Sequence, residues 1–279
     1  MTVLVIGASS QIGRFLLPRL VASGEPVLAL SRNPRAAGDG VTWLDGTLPD
    51  RVPSLPPLSA IISFGPLPGL VEWLAQLSLL DAPRVIATSS MSADSKRDSS
   101  VPGERDIARQ LREGEAALAA ACERHGSGWT VLRPTLVYGS GLDKSLTPIA
   151  RHAMRLRVFP LPSGRGLRQP VHADDVAQAA LAALECAAAV GRVLPIGGGE
   201  RLSAAEMFAR VRRSLPRNTV PLPLPAWLLR LTQRALPQLR GPLSRLDRDL
   251  IADNGELQRL LGIHPRPFRP EPAMWQPPA

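Results

Sequence analysis

The stretch GASSQIG, residues 7–13, follows the apolar run Val3–Ile6 and leads into a helical pattern. Gly7 permits a tight turn off a strand, and Gly13 permits close packing of helix on strand. Between them Ser9, Ser10, Gln11 and Ile12 would sit at a helix N-terminus, whose free N–H groups and positive dipole end suit a pyrophosphate. Placed between a first strand and a first helix, the stretch is a candidate dinucleotide loop. The residue closing the second strand reports on the ribose. An NAD-binding chain usually has Asp or Glu there, accepting from the 2′-hydroxyl. Here LALSRNP offers Ser31 and Arg32 and no acid. A guanidinium can hold a 2′-phosphate bidentately, which favours NADP(H) over NAD(H). The same arginine could instead sit in solvent or stack on adenine.

Other chemistries are poorly supplied. The four histidines are scattered along the chain and show no metal-ligand spacing, so no metal site is expected. Cys122 and Cys186 lie in alanine-rich helical stretches, the pattern of buried thiols in a reducing compartment. No apolar run reaches the length of a membrane span. The start, MTVLVIGASS, has neither the basic residues nor the cleavage site of a signal peptide, and a cytoplasmic protein is expected.

The net charge is +9. Residues 1–139 carry 13 basic and 13 acidic side chains, so residues 140–279 hold the whole excess. All but two of the cations, Lys96 and Lys144, are arginine. Heavy use of arginine and alanine reads as coding bias, which discounts the charge as a signal. The excess still favours an anionic ligand near the C-terminal half. No aromatic-interleaved basic motif accompanies it, so nucleic acid is not an expected partner.

These residues need elements to position them, and short apolar runs alternate with helical patterns as in a parallel sheet with crossover helices. Strands are expected at 3–6, 27–30, 60–64, 85–87, 130–132 and 192–196, and helices at 12–23, 68–80 and 104–124. Another helix opens at Asp174 and Asp175, either of which would cap it. Short helices follow at 203–214 and 226–235, and the proline-rich last dozen residues are expected to form an extended or frayed tail. Pro18 falls inside the first helix and would bend it. The fold class is α/β, a Rossmann-type doubly wound parallel sheet with a small, mostly helical C-terminal region. The expected division is a dinucleotide domain at 1–199 and a substrate-binding region at 200–279, with part of 140–170 contributing to the cleft.

At this point the sequence resembles the extended short-chain dehydrogenase/reductase superfamily, in its NAD-dependent epimerase/dehydratase branch. GASSQIG is similar to the glycine loop, with Ser10 in place of the middle glycine. TSSMS (88–92), LRPTLVYGSG (132–141) and RQPVHADDVA (168–177) resemble three further family segments, in the right order. The resemblance implies that Ser90 is the catalytic hydroxyl, orienting a carbonyl by hydrogen bonding. It implies that Arg168 anchors an anionic, nucleotide-sugar-like substrate, unless that arginine is structural and bonds loop carbonyls, and that Tyr138 lines the pocket, unless only its backbone turn with Gly139 and Gly141 is used. His172 reads as a buried hydrogen-bonding residue.

The family's proton-moving pair, YxxxK on the helix after the serine loop, is where this chain departs. Its one tyrosine is Tyr138, and residues 92–128 contain none. Aligning that helix on Glu115 puts Ile107 and Leu111 in the Tyr and Lys positions, and neither can move a proton. Ser90, Asp94, Lys96 and Asp98 remain as acid–base candidates. Arg105 and Arg109 are either electrostatic stabilisers or a solvated helix face.

Two expectations follow. One is an atypical NADP(H)-dependent oxidoreductase or epimerase/dehydratase-like enzyme acting on a small, anionic molecule, as a monomer or homodimer. The other is a non-catalytic dinucleotide-binding sensor or assembly protein. The segment 225–241 sets Trp227, Leu228, Leu231 and Leu236 among Arg230, Arg234 and Arg240. Such a pattern either packs on its own domain or makes peripheral contact with a membrane.

Overall fold

The computed structural model describes residues 2–32, 40–77, 82–225 and 245–276. The first half runs β1 (Val3–Ile6), α1 (Gly13–Ala22), β2 (Val27–Ser31), β3 (Val41–Asp45), β4 (Ala60–Ser63), α2 (Leu67–Gln76), β5 (Arg84–Thr88), α3 (Ser92–Ser95), α4 (Pro102–Arg124) and β6 (Trp129–Pro134). There follow β7 (Val137–Tyr138), α5 (Leu146–Leu156), β8 (Val158–Pro162), β9 (Leu167–Arg168), β10 (Val171–His172), α6 (Ala173–Glu185) and β11 (Arg192–Ile196). The chain ends through β12 (Leu202–Ser203), α7 (Ala204–Arg213), β13 (Val220–Leu224) and α8 (Gly255–Leu261).

Seven parallel strands form the central sheet in the order β11-β6-β5-β4-β1-β2-β3. Helices cover both faces, so β1 and β4 are buried at every position, as parallel sheets require. On one face Leu16 and Leu20 of α1 and Val176 and Ala180 of α6 pack against Val5 and Ile62. On the other, Leu70 and Leu74 of α2 and Leu118 and Cys122 of α4 pack against Leu4 and Ile61. A third cluster joins residues on both sides of position 199: Tyr138 and Phe159 with Phe208, Phe268 and Trp275. Helix α8 returns Leu257 to the first cluster.

The sequence pattern does not predict strand β3. It is an edge strand with one buried position, Val41, so it lacks the continuous apolar run that marks the inner strands. Helix α6 corrects the capping expectation. Its cap is His172, whose Nδ1 accepts from the Asp174 N–H at 3.1 Å. Asp174 and Asp175 instead hold Arg266, at 2.7 and 2.8 Å, and Asp174 also holds Arg19 at 2.9 Å. Carboxylates in a first helical turn are favoured by the dipole, and here cations compensate their burial.

The expectation of an extended or frayed tail is corrected for its described residues, 268–276. Phe268 and Trp275 are fully buried, and Trp275 Nε1 donates to Ser214 Oγ at 2.8 Å. Two buried aromatic side chains outweigh the ordering entropy of a proline-rich segment. The expected helix at 226–235 and its basic face lie outside the described residues.

Candidate functional site

Two cavities lie against the elements that the motifs mark. The first, about 650 Å³, is lined by Gly7, Ser9, Ser31, Arg32, Thr47 and Gly65 among others. Gly7 has φ +76°, and a Cβ there would come within 3.3 Å of the Phe64 backbone. A Cβ on Gly13 would meet the Ala8 carbonyl oxygen at 2.3 Å, so only glycine lets the loop lie on α1. The turn is closed by Ser10 N–H on the Gly7 carbonyl at 2.9 Å and by Gly13 N–H on Ser10 Oγ at 3.2 Å. Ile12 is buried as the residue before the helix, and Gln11 Oε1 is buried without a hydrogen bond. Arg32, exposed, stands in the wall beside Ser31. This cradle fits a dinucleotide: a backbone open to close approach, a helix start and a cation at one end.

The second cavity, about 450 Å³, opens where β5 ends. Ser90 is in its wall with Ser92, Ser95 and Lys96 of the following turn. Ser90 Oγ accepts from the Ser92 N–H at 3.1 Å, which fixes the hydroxyl against the start of α3. Lys144, Ser145 and Ile149 come from the start of α5, Met207 and Phe208 from α7, and Arg248 and Asp249 from the C-terminal segment.

Arg168 is also in this wall but only 6% exposed. Its Nη1 donates to the carbonyls of Leu167 at 2.8 Å and Arg248 at 2.5 Å. Burial pulls its pKa below the usual arginine value, against the pull of Asp249 and Asp247. This corrects the expectation of a guanidinium open to the cleft: Arg168 is buried and bonded to backbone carbonyls, so it braces the cavity wall.

Behind the serine loop, Arg133 of β6 bonds Glu115 of α4 through Nε at 2.8 Å and again through Nη2. Its Nη1 reaches Asp94 of α3 at 2.8 Å. The hydrogen bonds to Glu115 are the largest influence raising the Arg133 pKa. Glu115, in the sequence only a marker of register, is thus the anchor of the loop that carries Ser90.

Tyr138 requires correction. It is fully buried and is absent from the residues lining this cavity. Its ring packs edge-on against His172 and Phe268, with centroids 5.2 and 4.8 Å away. Burial pushes its phenol up to about 12, partly opposed by the Arg269 backbone, and the hydroxyl lacks a hydrogen bond of good geometry. Its ring belongs to the third cluster and not to the wall of this cavity. His172, between Phe15 and Tyr138, has its pKa lowered by burial and then by Arg266.

Ile107 and Leu111 are likewise absent from the cavity lining, and Ile107 is 40% exposed. Arg109 pairs with Asp106 at 2.9 Å on an exposed face, and Arg105 donates to the Ser99 carbonyl at 2.7 Å. Of the four acid–base candidates, Ser90 and Lys96 line the cavity; Asp94 and Asp98 do not. Lys144 stands out in the sequence only as the second lysine, and that rarity is the signal that points to it.

Among the described residues no group of three or more His, Cys, Asp or Glu could hold a metal ion. No described helix is long and apolar enough to cross a membrane.

A glycine cradle at the first strand–helix turn of a seven-stranded parallel sheet, with a serine-bearing pocket beyond β5, defines a dinucleotide-binding α/β protein of the short-chain dehydrogenase/reductase type. The chain belongs to the NAD dependent epimerase/dehydratase family, which it matches over residues 72–197. A (4-alkanoyl-5-oxo-2,5-dihydrofuran-3-yl)methyl phosphate reductase of Streptomyces griseus subsp. griseus is 30% identical over 223 residues, 77% of this chain and 74% of the relative. A UDP-glucose 4-epimerase of Vibrio cholerae is 25% identical over 165 residues, 58% of this chain, and the match spans 49% of that enzyme's length. Among solved structures, UDP-glucuronic acid 4-epimerase from Bacillus cereus in complex with NAD superposes with TM-score 0.72 at 14% identity, over 96% of this chain and 94% of that one. The UDP-glucose 4-epimerase of Thermus thermophilus in complex with NAD gives 0.71 at 17% identity, over 98% and 97%. At these identities the structures establish the fold alone.

Proposed function

We propose that the protein is an NADP(H)-dependent reductase of a small anionic carbonyl compound. The observation that carries the reading is the shared cavity of Ser90 with Lys96, Lys144 and Arg248. A hydroxyl able to orient a carbonyl stands there among cations suited to an acidic group on the same molecule. The reductase relative, whose named substrate carries a phosphate, supports reduction over epimerisation.

Gly7, Ser9, Ser10, Gln11, Ile12 and Gly13 would hold the dinucleotide, and Arg32 would hold its 2′-phosphate. The cofactor supplies hydride when bound. Ser90 hydrogen-bonds the reacting oxygen, and Arg168 fixes the wall against which the anionic group lies. The proton donor is a residue other than tyrosine.

Titration calorimetry tests the cofactor half. NADPH should bind tighter than NADH, and Arg32→Ala should remove most of the difference; equal affinities unaltered by that substitution would contradict the role of Arg32. The buried Tyr138 favours a second reading, a dinucleotide-binding sensor without turnover. That reading predicts NADPH binding with no oxidation of NADPH by any carbonyl substrate.

A further inference from the structure

The chain has 33 basic side chains and only two of them are lysine. Both, Lys96 and Lys144, are among the four basic residues lining the second cavity. They reach it from different elements, Lys96 at the end of α3 and Lys144 just before α5.

We propose that Lys96 and Lys144 together bind a phosphomonoester group of the substrate. The inference deepens the reductase reading and rests on it for the ligand being a substrate.

Charge balance carries the first part of the argument. Four basic and two acidic side chains line the cavity, a formal excess of two positive charges. Both acids already accept hydrogen bonds: Glu104 from Ser99 Oγ at 2.6 Å, and Asp249 from the Leu167 N–H at 2.7 Å. A phosphomonoester carries about −1.5 to −2 at neutral pH and matches that excess, whereas a carboxylate carries half of it.

Geometry carries the second part. The N-terminus of α5 would ordinarily compete for an anion, but Asp143 Oδ1 occupies it. That oxygen accepts from the N–H groups of Ser145, Leu146 and Thr147 at 3.0, 2.6 and 3.1 Å. Arg168 has Nη1 engaged by two carbonyls. The lysines bring a different donor chemistry, which does not depend on their being without protein partners. An ammonium is a compact charge with three donors on a flexible stem, able to follow a tetrahedral anion, and the hydroxyls of Ser92 and Ser95 beside Lys96 add donors.

Lysine rarity supplies the experiment. Full-length protein labelled with [13Cε]lysine gives two lysine signals, one from each site. Methyl phosphate should move both signals with a single dissociation constant. Lys96→Gln or Lys144→Gln should weaken binding about tenfold or more, with NADPH affinity unchanged. Acetate and UDP-glucose, at matched ionic strength, separate a monoester from a carboxylate and from a diphosphate linkage. Either lysine signal unmoved by millimolar methyl phosphate would overturn the proposal. So would acetate or UDP-glucose acting as strongly. The Arg32→Ala calorimetry reads the dinucleotide site separately, so loss of the phosphate response with NADPH preference intact overturns this proposal alone.

Discussion

Arg133 and Glu115 form a two-pronged ion pair between strand β6 and helix α4, with Nε to Oε1 at 2.8 Å and Nη2 on the second carboxylate oxygen. The side chains are 15% and 6% exposed. Because Arg133 also holds Asp94 at 2.8 Å, this pair fixes the position of the loop from which Ser90 faces the cavity. Removing one partner strands a charge in the interior.

Glu115→Ala should therefore destabilise the fold by about 3 kcal/mol. Replacing both residues, as Arg133→Met with Glu115→Leu, should recover most of that loss, because no buried charge is left unpaired and the partly exposed Asp94 keeps Arg97 at 3.4 Å. Urea unfolding measures both. A cost below about 1 kcal/mol for Glu115→Ala, the value of an exposed pair, would show that the pair does not hold the loop.

Gly13→Ala should weaken NADPH binding at least tenfold, roughly 1.4 kcal/mol, and lower the melting temperature. The added Cβ has no space beside the Ala8 carbonyl, so the loop must leave the helix that it caps. Calorimetry with NADPH reads this directly, and unchanged affinity would mean that the dinucleotide does not use this turn.

Tyr138→Phe should leave any NADPH-dependent turnover within about tenfold, or roughly 1.4 kcal/mol in barrier. The same substitution has a signature in alkali. Burial raises the phenol from 10.0 to about 12. A raised folded-state value gives stability that is whole below the unfolded pKa and lost as pH climbs through the folded one. The wild type should accordingly lose stability between about pH 10 and about pH 12, and Tyr138→Phe should lose less. Equal alkaline losses in urea melts of the two proteins would assign the titration to another group.

The inner sheet is legible in the sequence because full burial writes itself as short continuous apolar runs, and the strand Arg192–Ile196 has the bounds that its run implies. Strand β3 is not legible, since an edge position leaves a mixed sequence. The cofactor turn is legible because Gly7 and Gly13 answer to backbone geometry, a local property. Tyr138 and the tail mislead for the opposite reason. Whether a lone aromatic faces a pocket or a core depends on partners far along the chain, here Phe268 and His172. The capping of α6 follows the same rule: Asp174 and Asp175 look like caps locally, yet Arg266, some ninety residues away in sequence, claims both. Lys96 and Lys144 are conspicuous by composition, but only the fold brings them to one cavity.

The central claim, a reductase whose Ser90 orients the reacting carbonyl, is tested most directly by following NADPH oxidation on addition of a panel of small anionic carbonyl compounds, phosphate esters included. Wild-type protein should turn over, and Ser90→Ala should cut kcat about a hundredfold, or roughly 2.7 kcal/mol in barrier, while NADPH affinity stays unchanged. NADPH bound tightly but never oxidised, or oxidised equally well by Ser90→Ala, would contradict the account.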